Sequence, residues 1–163
     1  SGNQTQYLAG ETPVARFLAL LTDGFASRRA YLEGPNGGAP SDGEHWGWEA
    51  QYWRAEDGRE ERQLRHADSE VLLGVVDGDW LLLYPEATYQ FVATSARAAG
   101  HVFPVELRTL LKRLDEEGLI ATEPGSGRRT PKVRIGDGTR RVVKLRSLAI
   151  CGSYLPENGE QGE

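Results

Sequence analysis

Hydrophobic positions fall into short periodic blocks along the chain, and each block predicts one element. From Thr12 onward, Val14, Phe17, Leu18, Leu21 and Phe25 follow the 3.6-residue period of a helix. Thr12 is placed to cap it, Pro13 suits its first turn, and Gly34-Pro35 predicts a stop after about Leu32. The segment GGAPSDG (37–43) reads as a loop. In the stretch HWGWEAQYW, Trp46, Trp48, Ala50 and Tyr52 alternate with Gly47, Glu49 and Gln51, the period of a half-buried strand. Residues 55–70 are charged and poor in apolar side chains, which predicts an exposed loop with at most ragged strand. Two apolar runs around Asp77-Gly78-Asp79 predict a β-hairpin.

A second helix opens at Pro85 and ends near Gly100. His101, Val102 and Phe103 turn the chain into a third helix over residues 104–118, with Gly118 as its stop. Leu107, Leu110, Leu111 and Leu114 form one apolar stripe on it. Helical geometry then puts Val105, Thr109, Lys112 and Glu116 on the opposite face, with Arg108 and Arg113 at its shoulders. Beyond a short strand at residues 120–122 and a turn at 123–127, TPKVRI and TRRVVKLRSL predict a second hairpin around Gly136-Asp137-Gly138. Alternation puts Val133, Ile135, Val143 and Leu145 inward, and Lys132, Arg134, Lys144 and Arg146 outward.

Charge changes the picture most in this last third. The whole chain carries a formal net charge of −5, which alone argues against a nucleic-acid binder. Residues 101–151, however, hold eleven basic and six acidic side chains, so this segment is net +5 and the remainder −10. Local field, not total charge, governs binding. Arg128, Arg129, Lys132, Arg134, Arg140, Arg141, Lys144 and Arg146 stand against the single acid Asp137 within residues 128–146. Two helices joined by a tight turn and followed by a basic hairpin are the pattern of a winged-helix nucleic-acid-binding domain. The expected fold is therefore α+β: a winged helix-turn-helix with a basic β-hairpin wing, plus an N-terminal helix and a small antiparallel sheet. Residues 1–11 are expected to be a tag remnant or loose, 12–84 the helix and small sheet, 85–150 the winged helix, and 151–163 a loose tail. In this reading Arg108 and Thr109 reach base edges, while Lys112, Arg113 and the eight basic residues of the wing follow phosphates.

The chain lacks methionine and begins Ser-Gly, the pattern of a scar left by tag removal, and is read as a piece of a longer protein. The single cysteine, Cys151, cannot form an internal disulfide, which fits a cytoplasmic setting. No apolar run is long enough to span a bilayer, so no membrane partner is expected. Trp46, Trp48, Tyr52 and Trp53 are read as core rather than as a stacking surface for bases. Asp77 and Asp79 are read as turn residues rather than a metal pair. His45, His66 and His101 are scattered, GPNGGAP lacks the lysine of a phosphate loop, and there is no nucleophile elbow. Neither Lys132 nor Lys144 follows an acid at the spacing of a restriction-type nuclease. No enzymatic activity, cofactor, metal or small-molecule substrate is expected of this chain.

The stretch GVVDGDWLLLYPEATYQFVATSARAAGHVFPVELRTLLKRLDEEGLIATEPG, with the arginine hairpin after it, resembles the C-terminal region of bacterial helicase-like and primase–helicase ATPases of plasmids, prophages and other mobile elements. The earlier ARFLALLTDGFASRRAYL and WGW fit the same pattern, so the resemblance spans residues 14–148. Such sequences often start the recognition helix with Ser or Thr, where this chain has Phe103-Pro104-Val105. The resemblance implies an ATPase motor, with or without a primase, elsewhere in the parent protein, and a non-catalytic accessory module here that binds duplex or fork DNA in replication. Two other functions remain open: a protein-interaction module docking on that motor or on a helicase loader, and a transcription regulator.

Overall fold

A computed structural model describes residues 11–150; the ends expected to be loose, apart from Glu11, lie outside them, Cys151 included. The chain folds as α+β. Helix α1 (Pro13–Ala26) is capped by Thr12, whose hydroxyl accepts the Ala15 N–H at 3.0 Å. It ends well before the expected Leu32. Arg28 takes the left-handed conformation (φ 63°), so the Arg28 N–H reaches the Phe25 carbonyl and the Arg29 N–H reaches the Gly24 carbonyl. This double closure stops the helix with no glycine at the turning position. Ala30–Glu33 then form strand β1.

A short 3-10 turn (Gly43–Trp46) and a left-handed Gly47 precede β2 (Glu49–Arg54), so the strand expected from Trp46 starts three residues later. The expected loop at 55–70 contains β3 (Glu60–Arg65), paired in register with β2 from Glu49↔Arg65 to Arg54↔Glu60. The core assignment holds for Trp46 and Trp48, which are buried, and fails for Tyr52 and Trp53, which are 61% and 44% exposed. On the β2–β3 arm only Ala50, Glu61 and Leu64 are half-buried and the other positions are exposed, so alternation along it does not mark a core face.

The predicted central hairpin is present as β4 (Val71–Asp77) and β5 (Trp80–Leu83). Helix α2 (Pro85–Ala98) follows, then α3 (Leu107–Glu116), β6 (Ile120–Ala121), β7 (Lys132–Ile135), β8 (Gly138–Arg141) and β9 (Val143–Arg146). Helix α3 begins at Leu107, not Pro104. The predicted return strand of the wing is broken at the buried Val142 into β8 and β9.

The main sheet runs β1-β4-β5-β9-β6, with β1 parallel to β4 and the other pairs antiparallel. The mixed sheet replaces the small antiparallel one expected, because the residues assigned to the end of α1 supply its parallel edge strand. It also joins strands from both sides of the boundary expected at residue 84. Period-2 alternation gives each face its own partner. Leu81, Leu83, Val143 and Leu145 point to the face covered by the helices, where they meet Phe17, Leu21, Phe91, Leu110 and Leu114. Leu82, Val75 and Val142 point to the other face, where they meet Val133 and Ile135 of the β7–β8 hairpin.

Candidate nucleic-acid interface

Helix α3 buries Leu110, Leu111 and Leu114 and half-buries Leu107. Its approach is fixed by Tyr89, whose hydroxyl donates to the Val105 carbonyl at 2.8 Å and whose ring meets Phe103 edge-on. The stripe faces the core as predicted, leaving Arg108, Lys112, Arg113 and Glu116 exposed and Thr109 and Val105 half-buried. Among the described residues, none of Arg108, Lys112 and Arg113 has an acidic side chain within ion-pair distance.

The loop after β6 lies against the end of this helix. Arg129 Nε donates to Asp115 Oδ2 at 2.9 Å, so one acid of the helix C-terminus is engaged in holding the loop. The loop closes on itself through the Glu123 N–H to the Arg128 carbonyl and the Gly127 N–H to the Glu123 carbonyl. Arg128, exposed, is thereby carried beside α3.

Wing and helix form two surfaces instead of the single one expected. Helix α3 covers the Leu81/Leu83/Leu145 face of the sheet; the β7–β8 hairpin lies on the Leu82 face behind it. The hairpin crosses the back of the sheet far enough for Ile135, Gly136 and Asp137 to share a cavity of about 400 Å³ with Glu33, Gly34 and Val75. Register puts Lys132 opposite Arg141 and Arg134 opposite Thr139, all on the outward side, with Val133 and Arg140 on the side facing the sheet.

Two of the wing's arginines fix the hairpin, one against the sheet and one against the loop that leads into it. The Arg140 guanidinium lies 3.7 Å from the centroid of the Tyr84 ring. Arg141 Nη1 donates to the Thr130 carbonyl at 2.8 Å and approaches Glu123 Oε1 at 3.5 Å. The Glu123 carboxylate also accepts from the Ser126 hydroxyl at 2.8 Å and the Lys132 N–H at 3.4 Å. The Ser126 and Lys132 bonds, ahead of the Arg141 charge, hold its carboxyl below the ordinary carboxylate value. Burial pushes the Tyr84 phenol up, against the opposing pull of Arg140.

On β9, Lys144 Nζ lies 5.2 Å and Arg146 Cζ 4.9 Å from the centroid of Trp80. Arg146 Nε also donates to the Gly118 carbonyl at 3.0 Å. Trp80, Tyr84 and Glu123 are the participants that basic-residue counting misses. The signal for the two aromatics was present in WLLLY, where Trp80, Leu82 and Tyr84 share one face and Leu81 and Leu83 the other.

Among the described residues no group of three or more His, Cys, Asp or Glu is arranged to hold a metal ion. Among them, too, no helix is long and apolar enough to cross a membrane. Neither a protein-family model nor a curated protein sequence matches the chain. Function therefore rests on the geometry of the two cationic surfaces.

Proposed function

We propose that the chain is a non-catalytic DNA-binding domain of winged-helix type that docks on duplex DNA through α3. The observation that carries the reading is the exposed face of α3: among the described residues, Arg108, Lys112 and Arg113 stand without acidic partners, and Arg128 is brought alongside by the Asp115–Arg129 pair. Element order supports it. One helix, then β5, two helices, β6, a hairpin and β9, with β5, β9 and β6 adjacent in that order, is compatible with the order expected of a winged helix. Strands β1–β4 then form an insertion after the first helix. In this role Arg108 and Thr109, on the first turn of α3, face the bases, and Lys112, Arg113 and Arg128 face phosphates, with Arg129 holding the loop through Asp115.

The test is fluorescence anisotropy of labelled duplex at several salt concentrations. Each phosphate neutralised contributes roughly 0.9 to the log–log salt slope, so the Lys112→Ala/Arg113→Ala variant should lose about 1.8 from it. An unchanged slope in a folded variant refutes α3 as the duplex-binding element.

The resemblance to helicase-like and primase–helicase ATPases supports a wider proposal, that this is the accessory end of a cytoplasmic replication motor and acts on duplex or fork DNA. One feature favours the alternative of a protein-docking module: Tyr52 and Trp53 stand exposed on the β2–β3 arm. Retention of the parent motor by the wild-type chain, and its loss on Trp53→Ala with DNA affinity unchanged, would favour docking.

A further inference from the structure

We propose that the back of the sheet is a second nucleic-acid surface, separate from α3, and that it takes a single strand by stacking a base near Trp80. The inference rests on the DNA-binding reading above and extends it to strand type and place. Its first support is separation. Lys144 and Arg146 belong to the Trp80/Leu82 face of β5 and β9, and α3 packs on the Leu81/Leu83 face, so the sheet lies between the two sets of cations. A duplex seated on α3 leaves the back face open.

The second support is composition. Trp80 is partly exposed, and its ring has two cations within the roughly 6 Å over which the aromatic quadrupole attracts them. Beside it, Lys132 and Arg134 project from the outward side of β7, whose Val133 and Ile135 pack in the same cluster as Trp80. Among the described residues, Lys132, Arg134, Lys144 and Arg146 have no acidic side chain within ion-pair distance. Lys144 and Arg146 on the back of the sheet, and Lys132 and Arg134 on the outer side of the hairpin that lies over it, together give a field complementary to a phosphate chain.

An aromatic ring inside such a field is the platform that sequence-tolerant single-strand binding uses, because every base has a π-face. A base arriving at Trp80 displaces Lys144 from the ring onto a flanking phosphate, while Arg146, held by its Nε to the Gly118 carbonyl, turns its remaining donors to the next one. Lys144 thus exchanges one electrostatic partner for another. Duplex DNA has its bases stacked internally and cannot make this exchange.

The experiment titrates labelled oligo(dT) and labelled duplex separately with the intact chain and three variants: Trp80→Leu, Lys144→Glu and Arg108→Glu/Lys112→Glu. Circular dichroism checks the fold of each, and Lys144→Glu serves if Trp80→Leu fails to fold. The expected result is about a tenfold loss of oligo(dT) affinity for Trp80→Leu and Lys144→Glu, with duplex affinity within about twofold of wild type. The α3 variant should show the reverse. Oligo(dT) affinity unchanged in the Trp80 and Lys144 variants, or absent altogether, overturns the proposal and leaves Lys144 and Arg146 as cover for the ring. Duplex affinity unchanged in the α3 variant overturns the reading of α3 instead, without touching the oligo(dT) result. Cross-linking of an oligonucleotide carrying 5-iododeoxyuridine should map to the Trp80 peptide.

Discussion

Reversing the charge of Arg140 and Arg141 is the obvious way to ask whether the wing binds DNA, and the structure predicts that it asks a different question. Arg140 holds the hairpin to the sheet through Tyr84, and Arg141 ties its base to the 123–130 loop. Arg141→Ala removes the donor of the 2.8 Å bond to the Thr130 carbonyl, and Arg140→Ala removes the guanidinium from the Tyr84 ring. A hydrogen bond from a charged donor contributes about 1.5–3 kcal/mol, and the Arg141 side chain is 31% exposed, so we take the low end, about 1.5 kcal/mol. The contact between Arg140 and Tyr84 is at a partly exposed site and adds about 0.5–1 kcal/mol. The double alanine variant should lose about 2 kcal/mol, a fall in melting temperature of roughly 4–8 °C for a domain of this size. Native-state hydrogen exchange gives the sharper readout. The Val142 amide, bonded to the Pro131 carbonyl at 3.0 Å at the base of the wing, should lose protection, while amides of α1 and α2 lose only what the global change imposes. Lys132→Ala/Arg134→Ala is the control. These two outward side chains make no side-chain bond among the described residues, and their loss should move stability by no more than about 0.5 kcal/mol. If Arg140→Ala/Arg141→Ala leaves both the melting temperature and Val142 protection intact while abolishing DNA binding, the two arginines are contacts and the latch argument is wrong.

Three further outcomes follow from particular side chains. Because the folded Glu123 carboxyl titrates below its unfolded value, its support of the wing is complete above the ordinary carboxylate pKa of about 4.3 and is lost as pH falls through the depressed value. The Val142 protection factor, referenced to the intrinsic exchange rate at each pH, should therefore fall over that acid range in the wild type and much less in Glu123→Gln. Gly47→Ala should abolish cooperative folding or lower stability by more than about 3 kcal/mol in a denaturant titration. Gly47 holds φ 96°, and a Cβ there collides with the Ala30 carbonyl and the Tyr31 backbone. Trp48→Phe should cost about 1–3 kcal/mol by the same assay, because the indole N–H donates to the Leu32 carbonyl at 2.7 Å in a buried setting and phenylalanine leaves that acceptor unpaired.

The three helices show what the sequence made legible and where the signal ran out. Helices α2 and α3 end where a glycine follows: Gly100 and Gly118 both adopt positive φ, and the next N–H closes back to the Ala96 and Leu114 carbonyls. Their stops were readable because the residue that tolerates the left-handed turn is the one present. Helix α1 uses the same closure with Arg28 in that position, at a steric cost the parallel pairing of β1 with β4 offsets. Nothing local distinguishes Arg28 from a continuing helical residue, so the expected helix absorbed β1 and with it the parallel edge of the sheet. The β2–β3 arm failed for the opposite reason. Its strand order comes from cross-strand pairing at Glu49↔Arg65 and onward, with little burial, and hydrophobic alternation reports burial rather than pairing.

The basic surface was legible in content and not in placement. Alternation assigned Lys132, Arg134, Lys144 and Arg146 outward, but "outward" has a direction only once the sheet has two covered sides. Val142 decides it. By interrupting the return strand it lets β8 fold away from β9, and the hairpin then lies over Leu82 and Val75 on the side opposite α3. A single uninterrupted strand would have carried Arg140 and Arg141 along the plane of the sheet, in line with Lys144 and Arg146. The break instead turns Arg140 onto Tyr84 and sets Arg141 against Glu123, so that equal charges, close in sequence, become an anchor in one pair and an open cationic surface in the other. Restoring a continuous strand is therefore a different perturbation from removing charge. A variant that straightens the chain at Val142 should expose Val75 and Leu82, release the wing, and weaken single-strand binding at the back face while leaving the α3 surface in place.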